Sequence, residues 1–212
     1  MTAMDLSVKI GSLEMPNPPI AASGCFGYGL ESEDVVELST LGGVATKGLF
    51  LAERQGHPPE RIAETPSGML NAIGLQGIGV HRFISEKLPL LRERKARTIV
   101  NICGTTLDEY VEVARILSDA EGVDALEINI SCPNIKEGGI QFGCSLIGTR
   151  DVVSAVRKVT TLPIIPKLTP NVTSILPPAL AANRGGADAV SLINTVKSIT
   201  NVDLDHFSPF PM

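Results

Sequence analysis

Cys132 is the residue of this sequence that most needs a chemical explanation. It stands in the stretch EINISCPNI (127–135), between an apolar run typical of a buried strand and a proline, with Asn129 and Asn134 on either side. A cysteine in such a place can pack as a small hydrophobe, ligate a metal, form a disulfide, attack a substrate or carry a proton. The residue alone does not decide between these roles.

Metal and disulfide roles have little support in the rest of the sequence. Cys25, Cys103 and Cys144 form no Cys-x-x-Cys pair, and no histidine stands at zinc-finger spacing from any cysteine. We therefore predict thiols and no metal site. The acidic and histidine residues within 203–206 are typical of a solvated loop, because they have no second ligand cluster.

Two lysines are the next candidates for chemistry. Lys47 and Lys167 each lie inside a strongly apolar stretch. Buried lysines are uncommon unless they are paired, so two of them at one site would suit an anionic substrate and an electron-rich cofactor. The alternative is that each ammonium reaches solvent at a strand end.

Four asparagines, Asn101, Asn129, Asn134 and Asn194, lie at predicted strand ends or in the loops that follow. Asparagine is a poor strand former, and single asparagines usually cap or turn a chain. An amide offers both donors and acceptors, so four of them around one opening would suit a planar heterocycle with alternating C=O and N–H groups.

The elements that must position these residues alternate between strand and helix. An opening hairpin, LSVKIGSLEM, turns at Gly11-Ser12. Six short apolar runs then predict strands, and the longer segments between them predict helices, which is the pattern of parallel βαβ units. The predicted strands are 19–23, 43–48, 98–103, 125–131, 163–168 and 188–194; the predicted helices are 32–40, 80–94, 106–120, 149–159 and 173–185.

The polar residues end different strands of this α/β pattern, which favours a (β/α)8 TIM barrel over an open doubly wound sheet. In a barrel the carboxyl ends of the strands meet at one mouth, where active sites are built. Six strands are fewer than the eight of a closed barrel, so we expect residues 1–212 to be a single domain that lacks its C-terminal part. The strand-end residues are Ser23, Lys47, Asn101, Asn129, Lys167 and Asn194.

Two loops could contribute to the same mouth. The glycine-rich stretch 21–29 would let backbone approach a flat ring while Ser23 donates a hydrogen bond, or it is simply flexible. The segment 49–80 exceeds the usual connection length, so it is either functional or mobile. Asn71 within it is either a presented amide or a turn residue.

Composition excludes some partners. A net charge of -5 over 212 residues argues against a nucleic-acid surface, which needs clustered lysine and arginine. No stretch approaches 18 consecutive apolar residues and the N-terminus has no signal-peptide pattern, so we predict no membrane association and a cytoplasmic location.

Five ordered motifs together resemble the dihydroorotate dehydrogenase family along essentially the whole chain. They are ASGCFGYG (22–29), ETPSGMLNAIGLQ (64–76), NISCPNI (129–135), PKLTPNVT (166–173) and INT (193–195). The resemblance implies an FMN-dependent (β/α)8 barrel that oxidises dihydroorotate to orotate in pyrimidine (UMP) biosynthesis. The cysteine in the active loop is similar to class 1 enzymes, and the first two motifs are most similar to class 1B. That class implies an iron–sulfur and FAD electron-transfer subunit using NAD, and a homo-oligomer or heterotetramer.

The resemblance also assigns residues to the site. Cofactor contacts implied for FMN are Ser23, Lys47, Gly48, Asn101, Asn129, Lys167 and Ile193. Substrate contacts implied are Lys47, Asn71, Ala72, Ile73, Gly74, Leu75, Asn129, Asn134, Asn194 and Thr195. Gly48 stands where relatives often carry alanine, and residues 196–212 are less similar to class 1B than the residues before them.

Within this family Cys132 would be the catalytic base. Oxidation of dihydroorotate removes a hydride and a neighbouring proton, and the protein must accept the proton. Two other functions stay open: a dihydropyrimidine dehydrogenase-like reductase of uracil or thymine, and a non-catalytic truncated barrel fragment. Lys47 favours the carboxylated substrate, since uracil offers no anion to pair with it.

Overall fold

The computed structural model describes residues 4–131, 142–198, 202–203 and 208–209. Cys132 and Asn134 therefore lie outside the described residues. The strands in chain order are β1 (Val8–Ile10), β2 (Leu13–Met15), β3 (Ile20–Ala21), β4 (Gly43–Ala45), β5 (Ile62–Thr65), β6 (Gly68–Asn71), β7 (Thr98–Ile102), β8 (Ala125–Asn129), β9 (Ile164–Lys167), β10 (Val202–Asp203) and β11 (Ser208–Pro209). The α-helices are α1 (Val80–Arg82), α2 (Leu88–Glu93), α3 (Leu107–Ser118), α4 (Leu146–Arg157) and α5 (Leu176–Arg184).

A curled parallel sheet of five strands forms the centre, in the order β3-β4-β7-β8-β9. The predicted α/β class, the parallel pairing and the opening β1–β2 hairpin are confirmed. The predicted sixth strand, 188–194, differs: Ser191 forms a single parallel bridge with Lys167. Among the described residues, this segment has a neighbouring strand, β9, on one side only. It therefore forms few backbone hydrogen bonds with the sheet. The observed sheet is a half-barrel.

The helices lie between successive strands, as βαβ units require. Helix α3 begins at the N-cap Thr106, whose side chain accepts a hydrogen bond from the Glu109 N–H at 3.1 Å, and α4 begins in the same way at Ser145. Two prolines open α5, where missing N–H groups are harmless. No helix in the described ranges is long and apolar enough to cross a membrane.

Two helix predictions need correction. The segment 32–40 is not an α-helix; the chain forms short 3-10 turns at Leu30–Ser32 and Leu38–Thr40. Those turns bury only Leu38, so the segment has too little apolar surface to stabilise a helix. The predicted helix 80–94 is interrupted by a π turn at Phe83–Lys87. Pro89, two residues after the end of this turn, cannot donate to a preceding carbonyl, which favours the wider turn.

A second hairpin was missed within the segment 49–80. Strands β5 and β6 pair antiparallel around Pro66 and Ser67, with Thr65 opposite Gly68. Its apolar residues Ile62 and Met69 are exposed, so the hairpin has no buried face that would produce a clear period of two in the sequence. The segment is therefore shaped by backbone pairing rather than by a core of its own.

Side chains of the sheet pack on two sides. One side meets the helices in the main core, through residues such as Val100, Leu126 and Ile128. The other side, facing the inside of the curl, carries a smaller apolar cluster in which Leu13 and Met15 of β2 cover strand residues. We call this cluster the floor; its strand members are Ala45, Ile99, Ala125 and Ile165. The floor closes the amino-terminal end of the half-barrel.

We predict that the floor contributes substantially to stability. Replacing Leu13, which is 4% exposed, by alanine should lower the free energy of unfolding by about 2–5 kcal/mol, because buried contacts with the floor are lost. Glu14→Ala is the matched control: Glu14 is exposed and bonds only Lys9 at the surface, so its loss should cost less than about 1 kcal/mol. Denaturant unfolding measures both, and equal losses would contradict a packed floor.

Candidate functional site

A buried polar layer lies directly above the floor. Side chains two residues apart on a strand share a face, so the residue two positions after each floor residue points to the same side. Asn101 follows Ile99 in this way, and Lys167 follows Ile165. Glu127, two residues after Ala125, completes the layer on β8. These three polar residues are 0%, 9% and 4% exposed, respectively.

Glu127 connects the members of this layer. Its Oε2 accepts a hydrogen bond from Asn101 Nδ2 at 2.5 Å and lies 3.9 Å from Lys167 Nζ. Strand register brings the first pair together, because Asn101 and Glu127 are directly opposite each other on β7 and β8. The buried carboxylate therefore has a partner on each side, which a charge in this environment requires.

Sequence reasoning missed Glu127. The signal was present, since a glutamate between Leu126 and Ile128 interrupts an otherwise apolar strand. A buried carboxylate at such a position needs a donor or a cation nearby, which is the same argument that singled out the two lysines. Applied to acids as well as bases, it would have singled out Glu127 as a candidate, without identifying the donor or cation that it meets.

Asn129 and Asn194 meet one level higher, at the carboxyl ends of the strands. Asn194 Nδ2 donates to Asn129 Oδ1 at 2.9 Å, and Asn129 lies opposite Lys167 in the strand register. The hydroxyl of Ser131 donates to the Lys167 carbonyl at 3.2 Å, which ties the chain just before Cys132 to β9. Four predicted site residues are thus brought together: Asn101, Asn129, Lys167 and Asn194.

Tyr110 fixes the end of β8 from the helix side. Tyr110 is a fully buried residue of α3, and its hydroxyl donates to the Asn129 carbonyl at 2.6 Å. The N-cap at Thr106 sets where α3 begins and so where Tyr110 points. This contact was also missed, because an apolar-looking helix position does not reveal a hydrogen bond to another element.

Lys47 and Gly48 follow β4 and approach the same layer. The Lys47 N–H donates to the Gly27 carbonyl at 2.7 Å, which ties the strand end to the glycine-rich loop. A Cβ at Gly48 would lie 2.8 Å from Cys103 Sγ and 3.0 Å from Asn101 Oδ1. The backbone of Gly48 therefore passes immediately beside the polar layer, where a side chain would collide with it.

The remaining predicted residues are more loosely placed. Ser23 is half-buried in the loop after β3, and Asn71 is exposed at the end of β6. The carbonyls of Ala72 and Ile73 accept hydrogen bonds from His57. Gly74 at φ 71° and Leu75 at φ 58° turn the chain back, and Leu75 packs against Phe50 and Cys103.

Ile193 and Thr195, beyond the sheet, are exposed. The Thr195 carbonyl accepts a hydrogen bond from Asn171 Nδ2 at 3.0 Å, and the Thr195 N–H donates to Asn194 Oδ1 at 2.7 Å. These bonds hold the INT motif against the loop that follows β9. Among the described residues, no group of three or more His, Cys, Asp or Glu side chains could hold a metal ion.

Tyr28 joins the glycine-rich loop to the segment 49–80. Its hydroxyl accepts a hydrogen bond from the Ile78 N–H at 3.2 Å. Burial raises the pKa of Tyr28 above its ordinary value of about 10; the hydrogen bond from Ile78 opposes this and the nearby Glu31 charge adds to it. The two segments on which the resemblance places site residues are thus held together by a neutral phenol.

The sequence model described as "Dihydroorotate dehydrogenase" matches residues 5–210. The chain belongs to this family. The predicted family is therefore confirmed, and so is the resemblance to its class 1B, because similar curated proteins carry the name dihydroorotate dehydrogenase B (NAD(+)), catalytic subunit.

Three such dihydroorotate dehydrogenase relatives give the extent of the similarity. The protein of Phocaeicola vulgatus is 50% identical over 192 residues, covering 91% of this chain and 63% of the relative. That of Bacteroides thetaiotaomicron is 48% identical with the same coverage. That of Citrifermentans bemidjiense is 48% identical over 209 residues, covering 99% of this chain and 68% of the relative. The chain thus spans about two thirds of the length of these relatives.

Gly48 gives a direct test of how tightly the layer is packed. We expect Gly48→Ala to cost about 1–3 kcal/mol of unfolding free energy, because the new methyl group collides with Cys103 Sγ and Asn101 Oδ1. The double variant with Cys103→Ala should lose less than the sum of the two single losses. Gly68→Ala is the control, since its Cβ would meet only Thr65 at 3.8 Å. If the stability loss of the double variant equalled the sum of the losses of Gly48→Ala and Cys103→Ala, the predicted collision would be contradicted.

Tyr28 predicts a pH dependence of stability. Because its pKa is raised in the folded protein, its contribution to stability is fully present below pH of about 10 and is lost as the pH rises through the raised value. Ultraviolet titration of the folded chain should reveal a phenol that ionises late, and Tyr28→Phe should remove that transition. A Tyr28→Phe variant with an unchanged titration curve would refute the assignment.

Proposed function

We propose that this chain is the FMN-binding catalytic part of a class 1B dihydroorotate dehydrogenase, which oxidises dihydroorotate to orotate in pyrimidine biosynthesis. The observation that carries the proposal is the buried layer of Asn101, Glu127 and Lys167 beneath the Asn129–Asn194 pair, at the carboxyl ends of parallel strands in a chain of this family. Polar side chains grouped at the carboxyl ends of parallel strands lie where barrels of this kind build their active sites.

The donor set suits an isoalloxazine ring. Amides and an ammonium can match the alternating carbonyl and N–H groups along its edge, and the backbone of Gly48 passes beside the same polar layer. FMN, when bound, would supply the hydride acceptor that amino acid side chains lack. The residues that would hold it are Ser23, Lys47, Gly48, Asn101, Asn129, Lys167 and Ile193.

Substrate binding would use the upper level of the site. Lys47 would pair with the carboxylate of dihydroorotate, while Asn129 and Asn194 present amides to the ring carbonyl and N–H groups. The mutual hydrogen bond of the two asparagines would fix both amides before the substrate arrives, which reduces the entropy lost on binding. The other substrate contacts proposed are Asn71, Ala72, Ile73, Gly74, Leu75, Asn134 and Thr195.

Cys132 is proposed as the base that takes the proton from the substrate. It follows Ser131 in the sequence, and the Ser131 hydroxyl donates a hydrogen bond to the Lys167 carbonyl on β9. A thiol of ordinary pKa, about 8.5, is only slightly ionised at neutral pH, and nearby lysine charge favours the thiolate. Because the oxidation removes a hydride and a proton and transfers no acyl or phosphoryl group, proton transfer suits the reaction better than nucleophilic catalysis.

The wider context of the enzyme is also proposed. The chain would form part of a complete (β/α)8 barrel and work in the cytoplasm as a homo-oligomer or heterotetramer. Relatives named catalytic subunits of an NAD(+)-dependent enzyme support a partner subunit. The family resemblance implies that this partner transfers electrons through an iron–sulfur cluster and FAD. Uracil reduction is less favoured, since Lys47 would then have no substrate anion.

We predict that Cys132→Ala binds orotate but oxidises dihydroorotate at least about 100-fold more slowly, because a general base contributes roughly that much. Cys132→Ser should recover some activity at high pH. The measurement is stopped-flow reduction of the bound flavin, with Cys25→Ala as the control at an exposed thiol of the glycine-rich loop. Near-normal flavin reduction by Cys132→Ala would end the base assignment.

Substrate choice is tested on the same preparation. Oxidation of the reduced flavoprotein by orotate should be fast and oxidation by uracil slow, and Lys47→Ala should weaken orotate binding far more than uracil binding. Faster oxidation by uracil would support a dihydropyrimidine dehydrogenase-like enzyme instead. A colourless protein that takes up no FMN would support the non-catalytic fragment.

A further inference from the structure

Glu127 lies between two side chains that are proposed to touch the flavin, but it has no role of its own in the proposed function. We propose that Glu127 is a positioning residue of the flavin site. Its carboxylate fixes the Asn101 amide and the Lys167 ammonium, and it offsets the positive charge that Lys167 presents to the cofactor. The inference rests on the proposed function for the identity of the cofactor.

The first step concerns the direction of the Asn101 amide. A carboxylate only accepts hydrogen bonds, so the amide must turn its NH2 end toward Glu127, where the Nδ2–Oε2 distance is 2.5 Å. The carbonyl end then faces Cys103 Sγ at 3.6 Å and lies 3.0 Å from the Cβ that Gly48 lacks. Glu127 thereby determines that Asn101 presents an acceptor, not a donor, beside the Gly48 backbone.

The second step concerns charge. Glu127 and Lys167 form a buried pair with no formal net charge, and their side chains are 6% and 11% exposed. Without the carboxylate, Lys167 would be an uncompensated cation in a site that the half-buried Lys47 also approaches. Positive charge favours the electron-rich reduced flavin over the oxidised form. Glu127 should therefore hold the reduction potential below the value that two unopposed lysines would give.

A purely structural carboxylate would behave differently from this one. Glutamine has nearly the same shape, and its amide oxygen can still accept the bond from Asn101, so Glu127→Gln removes the charge with little change in packing. If Glu127 only satisfied a buried donor, the substitution would leave the electronic properties of a bound flavin unchanged. The reduction potential of the flavin separates the two roles.

The experiment measures that potential in the FMN-loaded protein. Glu127→Gln should bind reduced FMN about tenfold more tightly relative to oxidised FMN than the parent does, an increase of about 30 mV for the two-electron couple. Asp124→Asn is the matched control: it removes one carboxylate from the amino-terminal side of β8, where the acid accepts a bond from the Thr98 N–H that asparagine can still accept. A potential unchanged in Glu127→Gln, or raised equally in the control, would overturn the proposal.

A second measurement needs no flavin. Glu127→Gln, Lys167→Met and the double variant form a thermodynamic cycle on the unloaded chain, read by denaturant unfolding. We expect the double variant to have an unfolding equilibrium constant at least about fivefold below that calculated from the two single losses. Additive losses would refute the pairing. If the chain binds no FMN, the proposed function fails, while this cycle still decides whether Glu127 holds Lys167.

Discussion

Parallel pairing of short strands in a fixed register is the constraint on which the rest of the molecule depends. With successive side chains on opposite faces, the register that sets Ile99 opposite Ala125 also sets Asn101 opposite Glu127. The neighbouring β8–β9 ladder brings Asn129 opposite Lys167. The register on both sides of β8 therefore determines which polar side chains can meet. A slip of one residue in β8 would turn Ala125 and Glu127 together toward the helices.

The position of the polar layer directly above the floor allows the charges of Glu127 and Lys167 to be buried. Leu13 and Met15 exclude water from below, so the polar layer lies in a medium of low dielectric where its members bond strongly to one another. Lys167 can be nine-tenths buried because Glu127 lies beside it, and Glu127 can be buried because Asn101 and Lys167 lie on either side. Removing Glu127 would take this partner from both Asn101 and Lys167. The fold and the chemistry proposed for this family thus depend on the same few contacts.

Sequence reasoning recovered the parts of this arrangement that leave a periodic signal. Helices α3 and α4 were expected because each is a longer segment with helical periodicity between two predicted strands, and the five paired strands because each is a short apolar run. The hairpin β5–β6 was missed because it buries no face of its own, and the segment 32–40 was overpredicted because a few valines imitate an amphipathic turn.

Sequence reasoning found those site residues whose signal lies in the neighbouring stretch of sequence. Asn101, Asn129, Lys167 and Asn194 were found because polar residues at the ends of apolar strands are conspicuous, and the family resemblance then gave them roles. Glu127 and Tyr110 were not found, because their importance lies in which distant residue each one meets. Register and helix docking determine such contacts, and neither is encoded within a short window. The placement of Cys132 and Asn134 stays a prediction.

The floor has a consequence for how the chain assembles. The hairpin that forms it is made from the first residues of the polypeptide, yet Leu13 shares its cluster with Ile165, more than 150 residues further along. Contacts of such long separation form late, because the intervening chain must be ordered before they gain anything. During synthesis the hairpin therefore leaves Leu13 and Met15 incompletely covered until the strands that carry Ala45, Ile99, Ala125 and Ile165 have emerged in turn from the ribosome. A chaperone that shields short apolar hairpins would act on this protein at its beginning rather than at its end.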